Sequence, residues 1–177
     1  MVFEQTRFTR QLSRLELAVA VILIGIFMGL FVQRVLLLTV AAEATSVEQM
    51  IRNLRTGIML YVSDRLIEGK VDRIADLVQS DPFTVMNTPY GNYGGAATAA
   101  EIKAAPPGQW FYDRDNHELV YKVVNRKYFR NDRGTDLVRL KTVLNFADRN
   151  NDGRFERGID RPRSVSLRVL DRYEWTY

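Results

Sequence analysis

The chain has 177 residues, 46% of them hydrophobic and 26% charged. That excludes a disordered or low-complexity polymer and bounds it to one ordinary domain plus an accessory segment. It contains no cysteine and a single histidine, His117, so disulfide scaffolds, thiolate metal sites, cysteine nucleophiles and paired-histidine chemistry are excluded, and an enzyme is not expected. The net charge of +4 is spread unevenly: residues 1–42 carry Arg7, Arg10, Arg14 and Arg34 against Glu4 and Glu16, leaving 21 basic and 19 acidic residues beyond them. That balance is a poor footprint for nucleic acid.

The first 14 residues read as a basic arm. From Leu17 to Val32 runs an unbroken apolar stretch of 16 residues, resuming after Gln33 and Arg34 from Val35 to Ala42. A bilayer needs about 20 helical residues, so residues 15–42 suffice to span one if Arg34 snorkels to the far interface. A secretory signal is the competing reading, but no small-x-small cleavage site followed by a polar stretch appears. Arg7, Arg10 and Arg14 at the entry place the N-terminus in the cytoplasm and the C-terminal region across the membrane, which in a Gram-negative cell is the periplasm.

No proline precedes Pro82, and beyond the span the apolar residues keep a helical period through Val47, Met50, Ile51, Leu54, Ile58, Tyr61 and Val62. Gly69 stands where a C-cap is wanted. The pattern predicts one helix of about 58 residues, roughly 85 Å long at 1.5 Å per residue. Its first half is suited to lipid and its second is amphipathic; a break near Glu43–Ser46 is the alternative. Residues 43–80 thus hold the helix continuation and a short helix over Val71–Gln79.

Residues 81–177 read as the sheet domain. Asp81–Gly108 contains four of the five prolines and is predicted to be a variable or partner-facing loop. The period then changes to two: Gln109–Asp113 and Glu118–Asn125 form a hairpin about Arg114-Asp115-Asn116, and Asp136–Phe146 pairs with Arg163–Asp171. The predicted fold class is α+β, a long N-terminal transmembrane-plus-amphipathic helix packed against a small antiparallel sheet.

Leu15-Glu16-Leu17-Ala18-Val19-Ala20-Val21-Ile22-Leu23-Ile24-Gly25-Ile26 resembles the N-terminal motif of type IV pilins and type II secretion pseudopilins. In that family a glutamate opens the apolar helix and a glycine follows nine residues later, as Glu16 and Gly25 do. The resemblance covers about Leu12–Phe27; beyond it, only the architecture and a hairpin like Trp110–Asp113 with Leu119–Tyr121 are similar. It implies a pilin-like fold and a role in assembling a pilus or pseudopilus. The expected partners are other pilin or pseudopilin subunits, inner-membrane assembly-platform proteins and lipid. It also implies that Glu16 meets the free amino terminus of an adjacent subunit. A carboxylate inside an apolar span costs roughly 3 kcal/mol at its centre and less near its edge, and Arg10 and Arg14 lie off its helix face; a solvated interfacial glutamate is the alternative.

Two positions depart from the family. Peptidase cleavage would fall after Gln11, freeing Leu12, where the family has glycine, and Gln33 stands where many pilins have a helix-breaking proline. The expectation is therefore a minor or accessory component, of an MSHA-type pilus locus among others, in the inner membrane and incorporated into a pilus only if it polymerises. The alternative is a non-polymerising anchored module that recruits a protein or DNA.

Two further groups stand out. Asp148, Asn150, Asp152, Glu156 and Asp160 place oxygen ligands at alternate positions around Gly153. They are a candidate Ca2+ loop, although Ile159 occupies the twelfth position where an EF-hand needs glutamate; a hydrated turn is the alternative. Calcium loops between strands also occur in the pseudopilins it resembles. Arg126, Lys127, Arg130 and Arg133, interleaved with Tyr128 and Phe129, are a candidate nucleic-acid patch, diluted by Asp132 and Asp136. His117 reads as a turn residue, and the aromatic tail Tyr173–Tyr177 as closing the core.

Overall fold

The computed structural model describes residues 14–86 and 91–176; Arg7, Arg10, Gln11 and Leu12 lie outside them. Helix α1 runs unbroken over Arg14–Ile67, so the proposed break near Glu43 does not occur. The chain divides into two compact units, the first ending at Thr39 and the second spanning Val40–Tyr177.

In the first unit the described residues are all helical, and Leu17, Ile22, Ile24, Phe27, Leu30 and Phe31 are each more than half exposed. By length and composition this helix is sufficient to cross a membrane.

In the second unit α1 becomes the spine of the core. Val47, Met50, Ile51, Leu54, Ile58 and Val62 are buried at the spacing the sequence predicts, with Tyr61 packed beside them. Leu54 is fully enclosed; a core leucine of this kind contributes about 2 kcal/mol over an exposed one. The helix closes on a Schellman motif, in which Gly69 N–H bonds Leu66 C=O at 3.2 Å and Lys70 N–H bonds Arg65 C=O at 2.9 Å. Gly69 takes φ 71°, a conformation that a Cβ disfavours. The short helix that follows, Val71–Val78, is a 3-10 helix.

The sheet departs from the expected antiparallel one. Five strands, β1 (Tyr93–Ala97), β2 (Trp110–Asp113), β3 (Glu118–Lys122), β5 (Leu137–Ala147) and β6 (Arg161–Val169), lie in the order β1-β2-β3-β5-β6. β1 runs parallel to β2, the remaining neighbours being antiparallel, so the sheet is mixed. β4 (Phe129–Asn131) and β7 (Tyr173–Trp175) form a separate two-stranded sheet.

The parallel strand comes from Asp81–Gly108, which is not the expected loop. Asp81 caps a 3-10 turn over Pro82–Val85, accepting from Phe83 N–H at 2.9 Å. β1 follows, and then α2 (Ala99–Ala104), opened by a Thr98/Glu101 capping box. A parallel neighbour requires a crossover, and α2 with its flanks supplies it. Gly94 sits where a Cβ would meet the Phe111 ring at 2.3 Å, so only glycine lets β1 approach β2 there.

The two sheet faces are filled differently. One carries Trp110, Tyr112, Leu119, Tyr121, Val138, Leu140, Val165 and Leu167 in the same cluster as α1. The other carries Phe111 and Val120, covered by Ile102 of α2, and beyond them charged residues. The aromatic tail closes against the core: Phe129 meets Trp175 edge-on at 5.0 Å and Tyr173 at 5.8 Å.

Candidate functional site

In the first unit Glu16 lies close to the start of the described part of α1. Gly25 has open space where its Cβ would stand. Nine residues at 100° each put Gly25 half a turn away from Glu16, so α1 presents them on opposite sides rather than as one site.

In the second unit the most heavily bonded carboxylate is one the sequence gives no reason to single out. Glu43 Oε1 accepts from Tyr121 O–H at 3.0 Å and Val124 N–H at 2.7 Å. Its Oε2 accepts from Asn125 N–H at 3.0 Å and Asn125 Nδ2 at 2.6 Å. One side chain of α1 thus satisfies the backbone where the chain leaves β3. Burial, and then the Glu43 charge, push the Tyr121 hydroxyl pKa above its ordinary value, keeping it a donor.

Two charged groups organise the second sheet face. Lys122, 5% exposed, donates from Nζ to the carbonyls of Ile102 at 3.2 Å, Lys103 at 2.6 Å and Ala105 at 2.6 Å, placing an ammonium at the negative end of α2. Asp171 accepts from Arg133 Nε and Arg139 Nε, both at 2.9 Å. Burial alone would raise its pKa, but the Arg139 hydrogen bond and charge, reinforced by Arg133, hold it below the usual carboxylate range. Arg139 also faces Glu118, with Nη1 3.3 Å from Oε2. That Oε2 is buried without a hydrogen-bond partner, so charge attraction alone holds this pair.

The candidate calcium residues lie together on the loop joining β5 to β6. Asp148 accepts from Asn151 N–H at 2.7 Å and Gly153 N–H at 2.9 Å, and both donors sit in left-handed conformations, φ 58° and 73°. Asp160, 5% exposed, braces the base by accepting from Arg149 N–H at 2.9 Å and Glu156 N–H at 2.8 Å. Asp152 Oδ2 and Glu156 Oε2 converge on Asn150 Nδ2 at 3.2 and 3.1 Å. Asn150 Oδ1 in turn accepts from Asp152 N–H at 3.4 Å; these are the oxygen donors a hard cation takes, and among the described residues no three acidic or histidine side chains come together as a metal-holding group.

The candidate nucleic-acid patch is partly neutralised, at two of its four cations. Arg126 pairs with Asp136 at 2.6 Å and Arg133 with Asp171, Arg130 sits opposite Glu174 in the β4–β7 pair, and Lys127 lies over the Tyr128 ring at 5.7 Å. His117 closes the β2–β3 turn at φ 54°. Its Nδ1 lies 2.9 Å from the Tyr112 hydroxyl, which is also 2.9 Å from the Gln79 carbonyl. The hydroxyl donates to the carbonyl, and its oxygen accepts a hydrogen bond from the imidazole in the tautomer that carries a proton on Nδ1. Comparison with protein-family models, curated proteins and solved structures returns no match for this chain.

Proposed function

We propose that the chain is a pilin-like, membrane-anchored subunit that helps assemble a type IV pilus or type II secretion pseudopilus as a minor or accessory component. The observation supporting this reading is the division of labour along α1. Residues up to Leu38 expose apolar side chains and carry Glu16 close to the start of the described part, whereas Val40–Val62 hold the core of an α+β unit. A helix of this kind tethers a folded unit to a bilayer and leaves its apolar surface for lipid and neighbouring helices. On this reading the N-terminus is cytoplasmic and the sheet unit periplasmic.

The test is incorporation. Glu16→Leu should leave the protein in the membrane fraction and remove it from sheared pili or cross-linked pseudopilus complexes. Normal incorporation of Glu16→Leu would sink the assembly mechanism and favour a non-polymerising anchored module. Intact-mass spectrometry of the native protein adds an independent outcome. Loss of the first eleven residues with methylation of Leu12 marks a polymerising subunit, and the full-length mass marks a permanently anchored one. Ca2+ is the cation proposed for the Asp148–Asp160 loop, supported by its all-oxygen donor set.

A further inference from the structure

The β5–β6 pair outruns the rest of the sheet. β3 pairs with β5 only over Leu137–Leu140, whereas β5 and β6 stay paired from Lys141 opposite Arg168 to Ala147 opposite Arg161. Past β3 they form a two-stranded ribbon. Strand alternation puts Thr142, Leu144, Val165 and Leu167 on its core side and Lys141, Val143, Asn145, Ser164, Ser166 and Arg168 on the other. Arg161 and Arg163 are exposed at the register shift near Asn145.

This face is unusual in its charge. Residues 161–170 hold three arginines and no carboxylate. Among the described residues, Arg161, Arg163 and Arg168 have neither a side-chain hydrogen bond nor an ion pair. Lys141 and Arg168 stand directly opposite each other, a like-charge pairing that destabilises a sheet and that a bound anion relieves. Lys141 directs one proton to the Asn116 carbonyl at 3.0 Å, keeping two for a ligand. Among the described residues Asp113, Glu118, Asp160 and Asp171 are buried; Glu118 and Asp171 pair with Arg139 and Arg133 rather than with the ribbon arginines.

We propose that the β5–β6 ribbon binds the phosphate backbone of double-stranded nucleic acid without reading its sequence. A two-stranded ribbon fits a duplex groove, and guanidinium groups match phosphate geometry. No aromatic side chain stands among its outward residues to stack an unpaired base, which favours the duplex over a single strand. The surface differs from the Arg126–Arg133 patch, in which Arg126 and Arg133 are ion-paired, and is independent of the assembly reading.

The test uses full-length protein in non-ionic detergent and fluorescence anisotropy of a labelled duplex of about 30 base pairs, measured across a salt series. Arg163→Ser/Arg168→Ser should weaken binding at least about tenfold and make the log–log salt slope shallower by about 2, with an unchanged unfolding midpoint. Arg163→Lys/Arg168→Lys, which keeps the charge that dominates sequence-independent binding, should retain the wild-type salt slope and bind within about threefold. The proposal is overturned if the wild type fails to bind the duplex. Equal binding by the serine variant, or loss in Arg126→Ser/Arg130→Ser with the ribbon variant intact, overturns it as well. Displacement of the duplex by an equal charge concentration of polyglutamate also overturns it, pointing to an acidic protein partner.

Discussion

Replacing Glu43 by alanine removes the acceptor for four donors at once: Tyr121 O–H, Val124 N–H, Asn125 N–H and Asn125 Nδ2. Hydrogen bonds to a charged group contribute about 1.5–3 kcal/mol each when buried. The Val124 bond is exposed, and water replaces it at little cost. The other three are half-buried, and at about 1 kcal/mol apiece the loss comes to ~3 kcal/mol. For a unit spanning Val40–Tyr177, with an unfolding entropy of about 2.1 cal/mol/K per residue, that lowers Tm by about 10 °C. The assay is thermal unfolding of the full-length protein in mild detergent, followed by near-ultraviolet circular dichroism. Tyr121→Phe removes one donor and should cost about 1 kcal/mol, and a double-mutant cycle with Glu43→Ala should return most of that as coupling. A fall below about 2 °C for Glu43→Ala would refute the account, because the loop leaving β3 would then be held by something else.

Other groups yield separate outcomes. Lys122→Met keeps the aliphatic stem but strips three carbonyls of their ammonium; urea unfolding should show a loss of roughly 2–3 kcal/mol, and a neutral result would mean α2 needs no charge at its end. Because the Asp171 pKa is depressed in the folded state, its contribution is complete above about pH 4 and disappears as pH falls through the folded value. Asp171→Asn should therefore be less stable at pH 7 but flatter below pH 4, and parallel acid limbs would assign that dependence to other carboxylates. Calcium at 1 mM on a loop with Kd of about 10⁻⁵–10⁻⁴ M should stabilise by roughly 1.5–3 kcal/mol, which EDTA reverses; identical midpoints with calcium and with EDTA would leave the loop a plain turn.

What the sequence made legible was the part governed by local periodicity. The spacing from Val47 to Val62 located the buried face of α1, and Gly69 located its end. The hairpin around Arg114–Asn116 and the β5–β6 pair followed from alternation. β1 escaped because Tyr93-Gly94-Gly95-Ala96-Ala97 has little strand propensity of its own. It is a strand because β2 offers it a partner and Phe83 stacks on Tyr93 at 4.2 Å. α2 does carry a local signal, the capping-box spacing of Thr98 and Glu101, set among prolines that otherwise mark a loop. For the candidate site, Asp148, Asn150, Asp152, Glu156 and Asp160 are close in sequence and share the β5–β6 loop; nothing beyond that placement speaks to calcium. The Glu43 bonds reach a partner 82 positions away, and Lys122 finds carbonyls on another element; no local signal announces either. The Arg126–Arg133 patch looked more basic than it is because Asp171, which pairs with Arg133, comes 38 residues later in the chain.

The core of the second unit is closed by residues far apart in sequence. Arg55 donates to the Leu167 carbonyl across 112 positions, and Leu54 and Ile58 share one cluster with Val165 and Leu167. During synthesis at about 5–20 residues per second, the apolar face of α1 therefore waits several seconds for β5 and β6 to cover it. The chain cannot complete its fold from the N-terminus forward. A polypeptide stopped before β6 presents that face uncovered, so clearance of unfinished chains, rather than stability of the finished one, becomes the step most exposed to aggregation.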